Sequence, residues 1–163
     1  MTELTSSQKG GVAELRIAAE AASLGIGVLR PLTDGLRYDL VFDVGGALLR
    51  VQCKWARLRG GVVSISLRTS RHTPAGYVRT RYGVDEIDGF AAYCGDLDRC
   101  FFLPLDDFGG LSHVHLRLSP ARNGQLVGVK MAAAYEFGAV AQLGERRHGM
   151  AEVRGSIPLS SIA

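Results

Sequence analysis

Asp39, Gln52 and Lys54 are the residues whose types and spacing could do chemistry together. Asp39 lies in the run Arg37-Tyr38-Asp39-Leu40-Val41-Phe42, and the other two in Arg50-Val51-Gln52-Cys53-Lys54-Trp55. In an extended chain the side chains alternate faces, so Gln52 and Lys54 share one side while Val51, Cys53 and Trp55 share the other. The second set makes a buried layer. The first brings an amide oxygen and an amine next to a carboxylate, which is the chemistry of a metal-dependent phosphodiesterase. Asp is disfavoured inside a strand, so Asp39 needs a reason: it is a metal ligand, or it pairs with an arginine such as Arg37 or Arg50. Glu14, taken alone, is an ordinary solvated helical residue.

These groups need a helix and a sheet to hold them. Apolar spacing predicts a helix over residues 9–24, with Val12, Leu15, Ala19, Ala22 and Ser23 near one face and Gly25 at its C-terminal end. Gly10-Gly11 falls at the start of that helix, as a flexible entry or as free N–H groups able to meet a phosphate. Strands are predicted over 26–31, 38–44, 47–57 and 62–67, with Gly45-Gly46 and Gly60-Gly61 as turns. Residues 69–83, polar, basic and turn-rich, read as a loop reaching the ligand, with Tyr77, Tyr82, Arg79 and Arg81 available for contacts. Further strands are predicted over 90–94 and 99–104, a helical turn over 106–108, and weaker strands over 114–118 and 125–129. The order is one helix followed by a mixed sheet, without an internal repeat.

A chain of 163 residues with 47% hydrophobic content forms one domain, with a tail. No run approaches the roughly 18 apolar residues of a membrane span, and the polar start carries no signal-peptide core. Cys53, Cys94 and Cys100 are odd in number and form no CxxC pair, which fits a reducing cytoplasm. With His113 and His115 they match no standard zinc spacing. Net charge is only +3, but no acidic residue stands between Asp43 and Asp85, where Arg50, Lys54, Arg57, Arg59, Arg68, Arg71, Arg79 and Arg81 fall. The block reads as a nucleic-acid footprint, or else as a solvated basic face; its richness in arginine suits phosphate.

A helix with Glu14, then Asp39, then Gln52-x-Lys54 after a Gly-Gly hairpin resembles the PD-(D/E)XK nuclease superfamily. More narrowly, Lys9-Gly10 with Ala13-Glu14-Leu15, Arg37-Tyr38-Asp39-Leu40 and Arg50-Val51-Gln52-Cys53-Lys54 resemble its homing endonucleases encoded in tRNA-gene introns. The pattern around Asp88, Ala91, Tyr93 and Phe101 to Pro104 is similar too, so the resemblance spans roughly residues 9–137. Two departures stand out. Leu36-Arg37-Tyr38 replaces the proline before the first acid, and Gln52, a neutral ligand found in the homing branch, replaces an acid.

The resemblance implies an α/β fold with a restriction-endonuclease-like core, a mixed central sheet flanked by helices, over residues 1–137. It implies Mg²⁺, with Mn²⁺ as a substitute, held by Asp39, the Gln52 side-chain oxygen and the Cys53 backbone carbonyl. Glu14 would act through a second metal or a water, completing a catalytic set of Glu14, Asp39, Gln52 and Lys54. Lys54 would orient or deprotonate the water, or stabilise charge on the phosphate. DNA contacts are expected from Lys9, Gly10, Arg37, Arg57, Arg59, Arg68, Arg71, Arg79 and Arg81. Cutting both strands of a duplex with one site per chain calls for a homodimer or homotetramer. The rival readings are a junction resolvase of the same superfamily and a DNA-binding module with a degenerate core, the latter suggested by Gln52. A restriction enzyme lacks room here for a separate specificity domain.

Residues 138–163 have weak periodicity and resemble a reading frame through a tRNA gene. One choice of codons closes every stem of a cloverleaf, with an anticodon of the alanine type and a final CAGCTCC that pairs with the opening GGAGCTG. On this reading RNA structure fixes the tail. The gene overlaps the tRNA without interrupting it, as in a mobile element, and a tRNA gene is the first guess for the target.

Overall fold

A reciprocal cap starts the chain's first helix. Thr5 Oγ1 accepts from Gln8 N–H at 3.3 Å, and Gln8 Oε1 accepts from Thr5 N–H at 2.9 Å. The computed structural model describes residues 3–120, 127–138 and 140. Helix α1 (Ser6–Ser23) therefore begins three residues before the expected start at Lys9. Gly10 and Gly11 lie inside the helix, where N–H groups are consumed by the helical ladder, so the free-donor reading of Gly10 does not hold. The buried face is also different from the expected one: it is Ala13, Ile17 and Ala21, while Leu15 is 69% exposed. Small alanines eight residues apart, with Ile17 between them, let α1 lie close on β3 and β7, and that closeness selects the face more than side-chain size does. Gly25, at φ +77°, ends the helix just beyond its cap at Leu24.

The sheet grows from hairpins. β1 (Gly27–Leu29) and β2 (Leu40–Val44) are antiparallel, as are β2 and β3 (Ala47–Arg59), and β3 and β4 (Val62–Ser66). Both Gly-Gly turns have two positive φ values, 59° and 85° at Gly45-Gly46 and 53° and 75° at Gly60-Gly61, the geometry of a two-residue hairpin that matches strand twist. Where a loop was expected, β5 (Thr69–Thr73) and β6 (Gly76–Thr80) form a separate two-stranded antiparallel sheet, because Gly76 at φ +114° lets a turn-rich segment pair with itself. β7 (Gly89–Cys94) then runs parallel to β3, and β8 (Arg99–Pro104) antiparallel to β7. After the short helix α2 (Leu105–Phe108), β9 (His113–Arg117) pairs antiparallel with β4, and β10 (Lys130–Met131) parallel with β9. The strand expected over 125–129 is not found where described: residues 125 and 126 lie outside the described residues, and Val127 and Gly128 form a turn. Ala132–Tyr135 is a 3₁₀ helix.

The main sheet has eight strands, and both faces carry a core. Against α1 pack Leu49, Val51 and Cys53 of β3 with Phe42, Ala91, Phe102 and Phe137. The other face packs Ala56, Val63, Ile65, Phe90, Ala92, Phe101, Leu103, Val114 and Leu116 beneath Leu105 and Phe108 of α2. The result is an α/β fold with a mixed central sheet, as expected. Val140 is fully buried in the α1-side core; residues 141–163 of the tail lie outside the described residues. Among the described residues no helix is long and apolar enough to cross a membrane.

An added Cβ at Gly10 or Gly11 meets no atom within 4 Å. Replacing either by Ala is expected to stabilise the fold by about 1 kcal/mol, since glycine is that much poorer than alanine in a helix interior. Urea unfolding of the two single variants measures it; a destabilised variant would show that close packing at these positions had been missed.

Candidate active site

Along one edge of β3, two strands leave a gap. β2 pairs from Ala47 to Val51 and β4 from Arg57 to Arg59, while β7 takes the opposite edge. Leu58 N–H, turned away from β4, donates to Asp96 just past β7 at 3.1 Å, which places β4 on the β2 side. In the gap the Cys53 N–H has no strand to bond. Asp39 Oδ2 accepts it at 2.8 Å, while Asp39's own N–H donates to the Val51 carbonyl at 2.9 Å. Asp39 thus sits one residue before β2, not inside a strand as expected. That position leaves its carboxylate at a strand end.

Gln52 Nε2 donates to the same Asp39 Oδ2 and, at 3.3 Å, to the Cys53 carbonyl. Two oxygens therefore converge on a donor placed where a cation would sit. The amide's oxygen and nitrogen exchange by a half-turn; turned over, Gln52 adds a third oxygen to the set. Three hard oxygens, one of them anionic, suit Mg²⁺ or Mn²⁺. Glu14 lines a small cavity of about 130 Å³ with Asp39, Arg30 and Tyr38. Its Oε2 is 3.2 Å from Arg30 Nη2. Burial raises both carboxyls above their ordinary values. Asp39 raises Glu14 further against the pull of Arg30, while the Cys53 N–H and Lys54 pull Asp39 back down.

Lys54 Nζ donates to the Arg68 carbonyl at 3.1 Å and to Tyr82 Oη at 3.2 Å. Burial brings the Lys54 amine down to about 8, opposed by Asp39. Burial also raises the Tyr82 phenol. Two arginine clamps hold the segment that carries Tyr82. Arg37 Nε donates to Glu86 at 2.8 Å, its Nη2 to the Arg81 carbonyl at 3.0 Å, and its guanidinium lies 4.5 Å over the Tyr82 ring. Arg50 donates to Asp88 from its backbone N–H at 2.8 Å and from Nε at 3.1 Å, and also to the carbonyls of Asp85 and Val84. Neither arginine pairs with Asp39, so the alternative reading of that carboxylate is not what the structure contains.

Asp39, Gln52, Cys53 and Lys54 thus come together, and Glu14 joins them through the cavity it shares with Asp39. The expected DNA contacts do not form one patch. Arg37 is engaged inside the protein. Lys9, Arg57 and Arg59 line a separate groove. Arg68 and Arg81 flank Lys54 and Arg37 through their carbonyls. In the β5–β6 hairpin Arg71 pairs by backbone with Val78 and Arg79 with Ser70, and the side chains of both arginines lie outside the described residues. His113 and His115 are exposed on β9, away from the buried Cys94 and Cys100. Sequence reasoning missed Tyr82 as the partner of Lys54 and Arg30 as the partner of Glu14. No local signal announces either contact, since the partners are 28 and 16 residues apart.

A family model described as PD-(D/E)XK endonuclease matches residues 4–138. Among solved structures, a bacterial homing endonuclease, I-Ssp6803I, is similar at 30% identity with a TM-score of 0.72, over 89% of this chain and 99% of that one. A comparison with curated proteins gives no match.

A lysine lowered from 10.5 to about 8 on folding disfavours the folded state at neutral pH. That loss is recovered as pH rises from the folded value to the unfolded one, where the unfolded chain holds more protons. Lys54→Met is therefore expected to stabilise the metal-free protein by on the order of 2 kcal/mol near neutrality, with the gain shrinking toward about pH 10. Urea midpoints at the two pH values check this; a difference that does not change with pH would refute it.

Proposed function

We propose, for a chain that belongs to the PD-(D/E)XK endonuclease family, a Mg²⁺-dependent endonuclease of the homing type that hydrolyses phosphodiester bonds in double-stranded DNA. The observation that carries this is the convergence of Asp39 Oδ2, the Cys53 carbonyl and the Gln52 amide beside the amine of Lys54. Asp39, the turned Gln52 oxygen and the Cys53 carbonyl would hold Mg²⁺ or Mn²⁺, with Glu14 as a further donor at the same cavity. The ion, when bound, supplies positive charge to the scissile phosphate and acidifies a water. Lys54 does the proton work: with its value at about 8, a neutral fraction exists near neutrality to take a proton from water, and the charged fraction offsets negative charge growing on phosphate. Tyr82 Oη and the Arg68 carbonyl fix where that amine points.

The likeness to a bacterial homing endonuclease supports the homing reading over a junction resolvase. One site per chain and two strands to cut support a homodimer or homotetramer. We also infer that residues 138–163 are read from an overlapping tRNA gene, which makes that locus the target to try first.

A plasmid carrying the surrounding tRNA-alanine locus is expected to be cut at a discrete position with Mg²⁺. Lys54→Met and Asp39→Asn should each lose at least about 10²-fold in rate. Mg²⁺ should raise the melting temperature of the wild type and not of Asp39→Asn. Binding without cleavage by all three forms would replace the enzyme with a DNA-binding module. A chain ended after Val140, which keeps the buried side chain, is expected to fold and cut normally; loss of either property would refute a passenger tail.

A further inference from the structure

A groove beside the start of α1, over the sheet, is a feature that the site leaves unexplained. On β3, β4 and β9, Leu58, Val63, Ile65, Val114 and Leu116 face the core beneath α2. The opposite face, beyond Trp55, is not covered by the helix and forms a concavity of about 940 Å³. Lys9, Arg57, Arg59, Arg117 and Lys130 line it, and no carboxylate does among the described residues. Ser64, Ser66, His113 and His115 add hydrogen-bonding groups along its floor.

We propose that this groove is a phosphate-backbone surface, holding the duplex outside the bond that is cut. This rests on the nuclease reading above and adds to it a second, spatially separate contact. An ordinary solvated sheet face mixes both signs of charge; the lining of this one, on α1, β3, β9 and β10, is cationic, with Glu3 as the one acid found against it among the described residues. Some of its cations are engaged: Lys9 pairs with Glu3 at 2.9 Å, and Lys130 lies 4.3 Å over the Phe108 ring. Arg57 and Arg59 are exposed and form no ion pair among the described residues, and of the two Arg57 feels the Glu3 carboxylate that pairs with Lys9. A second copy of the chain would bring like charges together, whereas a polyanion is complementary. The groove and the site meet the same helix. Lys9 and Glu14 stand on the same helix about 7.5 Å apart along its axis, one at the groove and the other at the metal-type cavity.

The test uses the full chain, without metal, and a fluorescent random-sequence duplex a few helical turns long. Arg57→Ala/Arg59→Ala is expected to weaken binding about tenfold at moderate salt and to flatten the slope of log K against log salt by nearly 2, close to one unit for each phosphate that is no longer neutralised. Arg16→Ala/Arg99→Ala, outside the groove, should change neither. With Mg²⁺, the groove variant should raise KM for plasmid cleavage and leave kcat nearly unchanged. If the wild type cuts and the groove variant binds with the same affinity and slope, this inference alone falls. If the wild type neither binds nor cuts DNA, this inference and the nuclease reading fall together. Binding of polyglutamate in place of duplex would overturn it in favour of an acidic protein partner.

Discussion

The Cys53 N–H faces a length of β3 edge that neither β2 nor β4 covers, and Asp39 Oδ2 accepts it there at 2.8 Å. An unbonded N–H at the heart of a sheet costs about 1–3 kcal/mol, so the gap demands a side-chain acceptor. A carboxylate meets that demand and stays anchored while its remaining lone pairs face the cavity. The neighbouring side chains inherit their placement from the same strand. Gln52 reaches back to the anchored carboxylate, and Lys54, next on that face, points toward Tyr82. The interrupted edge is thus what turns a structural β-sheet into a site.

The electrostatics around this gap oppose one another. Two carboxyls and an amine are drawn out of water, and burial works against the charged form of each. Two arginines hold the structure around these groups. Arg37 and Arg50 each bind a carboxylate and backbone carbonyls in the segment 81–88, and that segment delivers Tyr82 to the lysine. A basic block that looks uniform in sequence is therefore divided: part is internal scaffolding and part lines an open surface.

The site's essentials were legible because they are written on one strand. Period-two alternation put Gln52 and Lys54 on one face, the Gly-Gly turn set the register, and an acid at the start of β2 had few innocent explanations. The strand at Arg99–Pro104 and the hairpin turns were readable for the same local reason. The helix face was not. Leu15 looks like a core residue, but close packing against the sheet prefers Ala13 and Ala21 and leaves Leu15 in solvent. Nor could alternation reveal the capped start at Thr5 or the contact between Lys54 and Tyr82, which depends on two long-range ion pairs.

The β5–β6 hairpin forms no ladder with the main sheet, and this bears on how such a chain can diversify. The Gly45-Gly46 turn helps to set the β2–β3 register that decides which side chains of β3 face the gap, so its length bears on the site. The hairpin is under no such restriction, because its register is internal. Its tip can change in length while the spine of β2, β3 and β7 stays fixed, whereas its base is tied to the rest of the chain through Thr69 at Tyr82 and Thr80 at Arg37.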